Sequence, residues 1–200
     1  LVLEKTIKEL EKIGMTFAEI DLPNFSYAIP AYYVIAPAEC SANLSRYDGV
    51  RFGYRCDEPS DLKELYQRSR TEGLGKEVKN SVMAGTFALT SGYYDAFYRK
   101  AQQVRRLIKN DFVEAFKKVD VIMTPVTPCP THSFDVSAPN HFADFTAPVN
   151  IMKRPAVAIP FSETEEGLPL GLHVIGHEGE DPQLLSMLST LVDALKPDHA

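Results

Sequence analysis

Three short apolar runs, VDVIMTP (119–125), AVAIP (156–160) and LPLGLHVIG (168–176), are the clearest material this chain offers for a buried sheet. Each is too short for a core helix and is closed by proline or glycine, the pattern of buried strands. MTFAEIDLP (15–23) reads as a fourth, shorter strand before a turn at Pro23-Asn24. The other periodic segments are helical. LEKTIKELEKIG sets Leu3, Ile7 and Leu10 on one stripe and stops at Gly14. Residues 25–46 read as helix interrupted at Pro30 and Pro37. DLKELYQRSRTEG starts on a Ser60-Asp61 cap and is closed by Gly73 and Gly75. A long region, 76–118, is mostly helical; its second half puts Val104, Leu107, Ile108, Phe112, Ala115 and Phe116 on one face. Arg105, Arg106 and Lys109 fall opposite, as a solvated basic face. The last helix opens at Asp181-Pro182 and turns Leu184, Leu185, Leu188, Leu191, Val192 and Leu195 inward. Helices alternating with few strands predict an α/β layer arrangement. The strands are too few to close a sheet comfortably, and the chain opens at Leu1 inside an amphipathic helix with its first methionine at Met15. Both features read as a piece of something larger.

Two hundred residues with 44% hydrophobic and 24% charged content suffice for one domain with a core. A net charge of −6 disfavours a broad nucleic-acid or membrane surface. The apolar runs fall short of the ~18 residues a spanning helix needs. Cys40, Cys56 and Cys129 are widely spaced and odd in number, which fits reduced thiols in a cytosol-like compartment.

Motifs that announce chemistry are scarce. The sequence contains no GxGxxG, GxxxxGK[ST], HExxH or GxSxG. Cys129 and His132 with nearby His141 lack a fourth ligand, so no metal site is expected. Ser41, His132 and Asp144 make a triad only on paper. The unusual stretch is ECSANLSRYDGVRFGYR (39–55), which packs three arginines, Asn43 and two tyrosines around Asp48-Gly49. It is either the wall of a polar pocket or a self-contained turn in which Arg46 pairs with Asp48.

YAIPAYYVIAPAECSANLSRYDGVRFGYR closely resembles a segment of the amidase signature family, and within it the A subunits of aspartyl/glutamyl-tRNA amidotransferases. The resemblance continues through DLKELYQRSRTEGLGKEVKN, GTFALTSGYYDAFYRKAQQVRRLIKNDF, VDVIMTPVTP, DFTAPVN, PAVAIPFS and GLPLGLHVIG, in order. It implies that residues 1–200 are the C-terminal part of an amidase domain, a mixed sheet flanked by helices. Family enzymes use a lysine, a serine in a cis peptide and a nucleophilic serine, the serines in a Gly/Ser-rich signature. No such run occurs here, so no catalytic residue is expected in this chain and the N-terminal catalytic part is expected to be absent.

The implied activity is hydrolysis of glutamine, with ammonia passed to a partner that converts Glu-tRNA(Gln) or Asp-tRNA(Asn) to the amidated form. The implied partners are a B subunit, which would use ATP and Mg²⁺, a small C subunit, and misacylated tRNA through the complex. This segment itself is expected to bind no cofactor, and the location to be the cytoplasm or an organellar matrix. The resemblance assigns substrate contacts to Tyr32, the first tyrosine of AYYV, and to Asp144, which matches the aspartate that binds the substrate ammonium. ADFTAPVN is one residue shorter than the usual family spacing.

Two departures stand out. The family's carboxylate-binding arginine ends an EVKRR run; here EVKNS places Ser81 there. Losing that charge-assisted contact costs about 1.5–3 kcal/mol. Either Arg51 or Arg55 substitutes, or glutamine binds poorly, or another amide is taken by a general amidase of the same fold. The family's PVNLAGLP also becomes PVNIMKRP, which sets Lys153 and Arg154 where small and apolar residues are usual. They are either replacements for the missing arginine or, as lysine and arginine are mostly exposed, rim residues. A non-catalytic module is the remaining reading.

Overall fold

The computed structural model describes residues 2–131 and 143–195. In chain order the elements are α1 (Val2–Lys12), a 3-10 turn (Phe25–Tyr27), α2 (Ala28–Leu44), α3 (Leu62–Gly73), α4 (Lys76–Leu89) and a π-helical turn (Tyr94–Arg99). They continue with α5 (Lys100–Ala115), β1 (Ile122–Pro125), α6 (Ala147–Met152), β2 (Ala156–Glu163), β3 (Pro169–Ile175) and α7 (Asp181–Leu195). The chain divides into a mixed unit, residues 1–29 with 105–200, and a helical unit, 30–104.

In the mixed unit, β3 is the central strand of an antiparallel sheet ordered β1-β3-β2. Thr124 faces His173 across β1 and β3, and Ile159 faces Leu172 across β2 and β3. The register of β2 slips between Pro160 and Ser162. Leu172 and Val174, two residues apart, point to one face. They pack with Ile159, with Leu10 of α1 and with Leu184, Leu188 and Leu191 of α7. The 3-10 turn is held to α5, because the Asp111 carboxylate accepts from the backbone and side-chain amides of Asn24 at 2.8–3.1 Å. The Phe25 ring lies 6.3 Å from that of Phe112, which is fully buried.

Several expectations change here. Residues 15–22 form no strand, since among the described residues no neighbour pairs with them. The region 76–118 is broken after Leu89 into a turn and the π-helical segment before α5 resumes. Leu107 and Leu185 are exposed, at 50% and 62%; each lies beyond the edge of the stripe that its helix buries. Arg105 and Lys109 do not form a solvated face. Arg105 Nε donates to the Ile151 carbonyl at the end of α6, and Lys109 is paired with Glu178 at 2.6 Å.

In the helical unit, α2 runs unbroken through Pro37. Pro30 falls in the first turn, where its missing N–H costs nothing, but Pro37 leaves the Tyr33 carbonyl without its helical donor. Ala28, Ala31, Ile35 and Ala38 form the buried stripe of α2. Alpha4 crosses it so closely that a Cβ on Gly85 would stand 1.9 Å from the Pro37 carbonyl oxygen. Beside that contact the Ser41 and Thr86 hydroxyls are 2.8 Å apart. Thr86 spends its proton on the Val82 carbonyl, so Ser41 is the donor.

The predicted cap of α3 is present. Asp61 accepts from the Glu64 amide at 2.7 Å, and the Glu64 carboxylate reaches back to the Ser60 amide and hydroxyl. This is a capping box displaced by one residue.

Candidate active-site residues and the family they define

The stretch 39–55 is tied to itself and to α3. Asp48 is buried, and its carboxylate accepts from the Val50 and Arg51 amides at 3.0 and 2.9 Å and from Arg51 Nε at 2.9 Å. The charge partner of Asp48 is thus Arg51, in place of the Arg46 pairing that the sequence suggested. The backbone amides, followed by the guanidinium, hold the Asp48 carboxyl well below the usual carboxylate range. Arg55 donates to the Gly49 carbonyl and Arg70 of α3 to the Ser45 carbonyl. Gly49 has φ +77°, and a Cβ there would meet the Ser69 hydroxyl of α3 at 2.5 Å. Ser69 is itself buried and accepts from the Cys56 amide. Tyr54 closes the stretch by donating to Glu72 at 2.8 Å, which raises the Tyr54 pKa.

Because the folded pKa of Asp48 is depressed, its contribution to stability is complete above the unfolded value of about 4. It is lost as pH falls below 4 toward the lower folded value. Asp48→Asn is expected to lower the melting temperature at pH 7 by several degrees and to flatten the acid limb of a Tm-versus-pH curve between about pH 4 and 2. An unchanged acid limb would show that Asp48 does not anchor the turn.

Of the residues assigned to substrate by resemblance, Tyr32, Arg51 and Ser81 belong to the helical unit and Asp144 to the mixed unit. Tyr32 lies half-buried on α2, its ring edge-on to Tyr33 at 5.7 Å. Ser81 lies half-buried on α4, one helical turn before Gly85. Arg51 has its guanidinium on Asp48 and the rest of its side chain in solvent. Asp144 is half-buried in the turn that leads into α6, where the Ala147 amide bonds the Ala143 carbonyl. Of the paper triad, Ser41 is hydrogen-bonded to Thr86 of α4 and His132 lies outside the described residues, as does His141.

Lys153 and Arg154 were the least legible positions. Alpha6 ends in a Schellman motif: the Lys153 amide bonds the Asn150 carbonyl and the Arg154 amide bonds that of Val149. Lys153 therefore takes φ +56°, ψ +45°, a left-handed conformation that favours glycine. The family run PVNLAGLP has its glycine at this place. Lys153→Gly is expected to stabilise the fold by about 1 kcal/mol, read as an increase in the denaturation midpoint with an unchanged slope. Arg154 folds back onto Phe116, just past the end of α5, its guanidinium carbon 4.8 Å from the ring centroid. It is half-buried and not a rim residue.

The antiparallel sheet with α1 and α7 on one face, the helical unit and the order of these segments define a class. The amidase family profile matches residues 1–185, and the chain belongs to the amidase family. It is 52% identical over 92% of its length to the A subunit of glutamyl-tRNA(Gln) amidotransferase from Coxiella burnetii, of which it spans 39%. Among solved structures, the corresponding protein from Thermotoga maritima superposes with a TM-score of 0.59 at 32% identity, covering 89% of this chain and 34% of that one. A structure described as an amidase superposes with a TM-score of 0.69 at 23% identity, covering 96% of this chain and 41% of that one, a likeness of fold.

Proposed function

We propose that these residues are the part of a tRNA-dependent amidotransferase A subunit that completes the amidase fold and supplies one side of the glutamine pocket. The observation that carries the reading is the 52% identity to the C. burnetii protein over nearly the whole chain. On this reading a seryl acyl-enzyme forms on residues outside this segment, and ammonia passes to a B subunit that activates misacylated tRNA with ATP and Mg²⁺. A C subunit completes a heterotrimer in the cytoplasm or an organellar matrix.

The chain's own share is binding. A glutamine α-ammonium calls for a carboxylate, and Asp144 is the candidate. Its α-carboxylate calls for a guanidinium or several donors, and its side-chain amide must be aimed at the nucleophile. Tyr32 offers a phenol toward the amino acid. Ser81 offers one hydroxyl where the family has an arginine. Arg51 could serve only while also holding Asp48.

The test is ammonia release from glutamine by the 200-residue chain alone and by the chain co-produced with the remaining part of the C. burnetii protein. The expected result is none alone and turnover in the complemented pair. Release by the isolated chain would overturn the division of labour.

Ser81 favours a second reading, a general amidase acting on another amide. A panel of simple amides given to the complemented pair decides between them. Negligible glutamine turnover beside rapid cleavage of another amide selects the second.

A further inference from the structure

In the mixed unit, next to the end of α5, lies an open cavity of about 350 Å³ lined by Val113, Phe116, Lys117, Arg154, His177, Glu178 and Glu180. Two of its four formal charges are answered. Glu178 pairs with Lys109 at 2.6 Å, and Lys117 pairs with Glu114 at 2.6 Å. The hydrogen bond from Lys109 and the nearby cations hold the Glu178 carboxyl below its ordinary range. Glu180 forms no ion pair among the described residues, and neither does Arg154. Among the described residues no carboxylate lies within salt-bridge distance of Arg154, and its Nε is buried without an acceptor. Burial lowers its pKa, and the Glu178 charge is felt only at a distance. A half-buried cation normally comes with a counter-charge, because its desolvation is otherwise uncompensated.

The side chain is also fixed in place. The Phe116 ring carries the guanidinium on it and packs against the His177 ring, 4.4 Å between centroids. The Schellman turn at Lys153 sets the backbone of Arg154. A planar five-donor fork held over an aromatic floor beside an open cavity is built for a planar or tetrahedral oxyanion.

We propose that this cavity is an oxyanion site, in which Arg154 binds the carboxylate or phosphate of a small ligand, with His177 beside it and Phe116 beneath. The site does not depend on the amidotransferase reading. None of its lining residues is among the glutamine contacts of the proposed function (Tyr32, Ser81, Arg51 and Asp144), and Arg154 stands where the family run has leucine.

The Arg154 Nε–H resonance of the purified chain, followed by NMR during titration at fixed ionic strength, tests this. Acetate and inorganic phosphate are the probes and chloride is the control. The expected result is saturable movement of that resonance and of the His177 ring, with a midpoint of about 1–10 mM for one of the two oxyanions. Saturation by acetate identifies a carboxylate ligand and saturation by phosphate a phosphoryl ligand. Arg154→Leu should abolish saturation. Arg154→Lys, which keeps the charge and loses the fork, should weaken it about tenfold. Linear drift with both probes, equal movement with chloride, or saturation that survives Arg154→Leu would overturn the site. Should the leucine variant fail to fold, the wild-type and lysine titrations still decide.

Discussion

Gly85→Ala is expected to cost the helical unit about 3 kcal/mol or more, enough to unfold much of the chain at ordinary temperature. The added methyl would stand 1.9 Å from the Pro37 carbonyl oxygen and 2.4 Å from its carbon. Both are backbone atoms, so the clash is not relieved by a rotamer change. Alpha2 and α4 must separate, and the buried stripes around Ala38 and Ala88 separate with them. Gly92→Ala is the control: nothing lies within 4 Å of a Cβ there, and its effect should stay within about 0.5 kcal/mol. Circular-dichroism melts of the two variants measure the contrast. A Gly85→Ala protein that melts with the parent would mean that the two helices do not cross at this point.

Ser81→Arg is the largest functional effect expected. On the proposed reading it restores the guanidinium that grips the substrate carboxylate, worth about 1.5–3 kcal/mol. In the complemented pair that is a drop in KM for glutamine of roughly 10- to 150-fold, with kcat changed little. The split matters, because a contact made equally to substrate and transition state moves KM alone. Ser81 lies half-buried on α4, one turn from the tight crossing, so the arginine must extend away from Gly85. If KM is unmoved while the variant melts normally, the carboxylate of the true substrate is held elsewhere or is missing from it.

Much of the architecture was written locally. Asp61 caps α3 because a short acceptor placed before an amphipathic run can do little else, and Gly14 ends α1 at φ +95°. The runs around Ile159 and Val174 became strands because their apolar length suits nothing longer. What could not be read depends on neighbours distant in sequence. Pro37 looks like a helix break until Gly85 packs on it. The basic residues of α5 look solvated until Ile151 and Glu178 arrive 46 and 69 residues later. Residues 15–22 have some strand-like alternation but no ladder to join. Of the candidate site, the assignments of Tyr32, Ser81 and Asp144 come from family likeness alone, whereas the role of Arg51 in holding Asp48 is a matter of three-dimensional bonding. Lys153 and Arg154 were visible as departures, yet only the backbone at the end of α6 explains why glycine suits the first.

The placement of proline in the sheet has a further consequence. The outer strands β1 and β2 each carry one, Pro125 and Pro160, and the central strand has one only at its first residue, Pro169. A sheet whose flanks each lack a donor makes a poor template for stacking copy upon copy into fibres. The chain is thereby guarded against polymerising through its own strands, and replacement of either flanking proline would remove part of that guard.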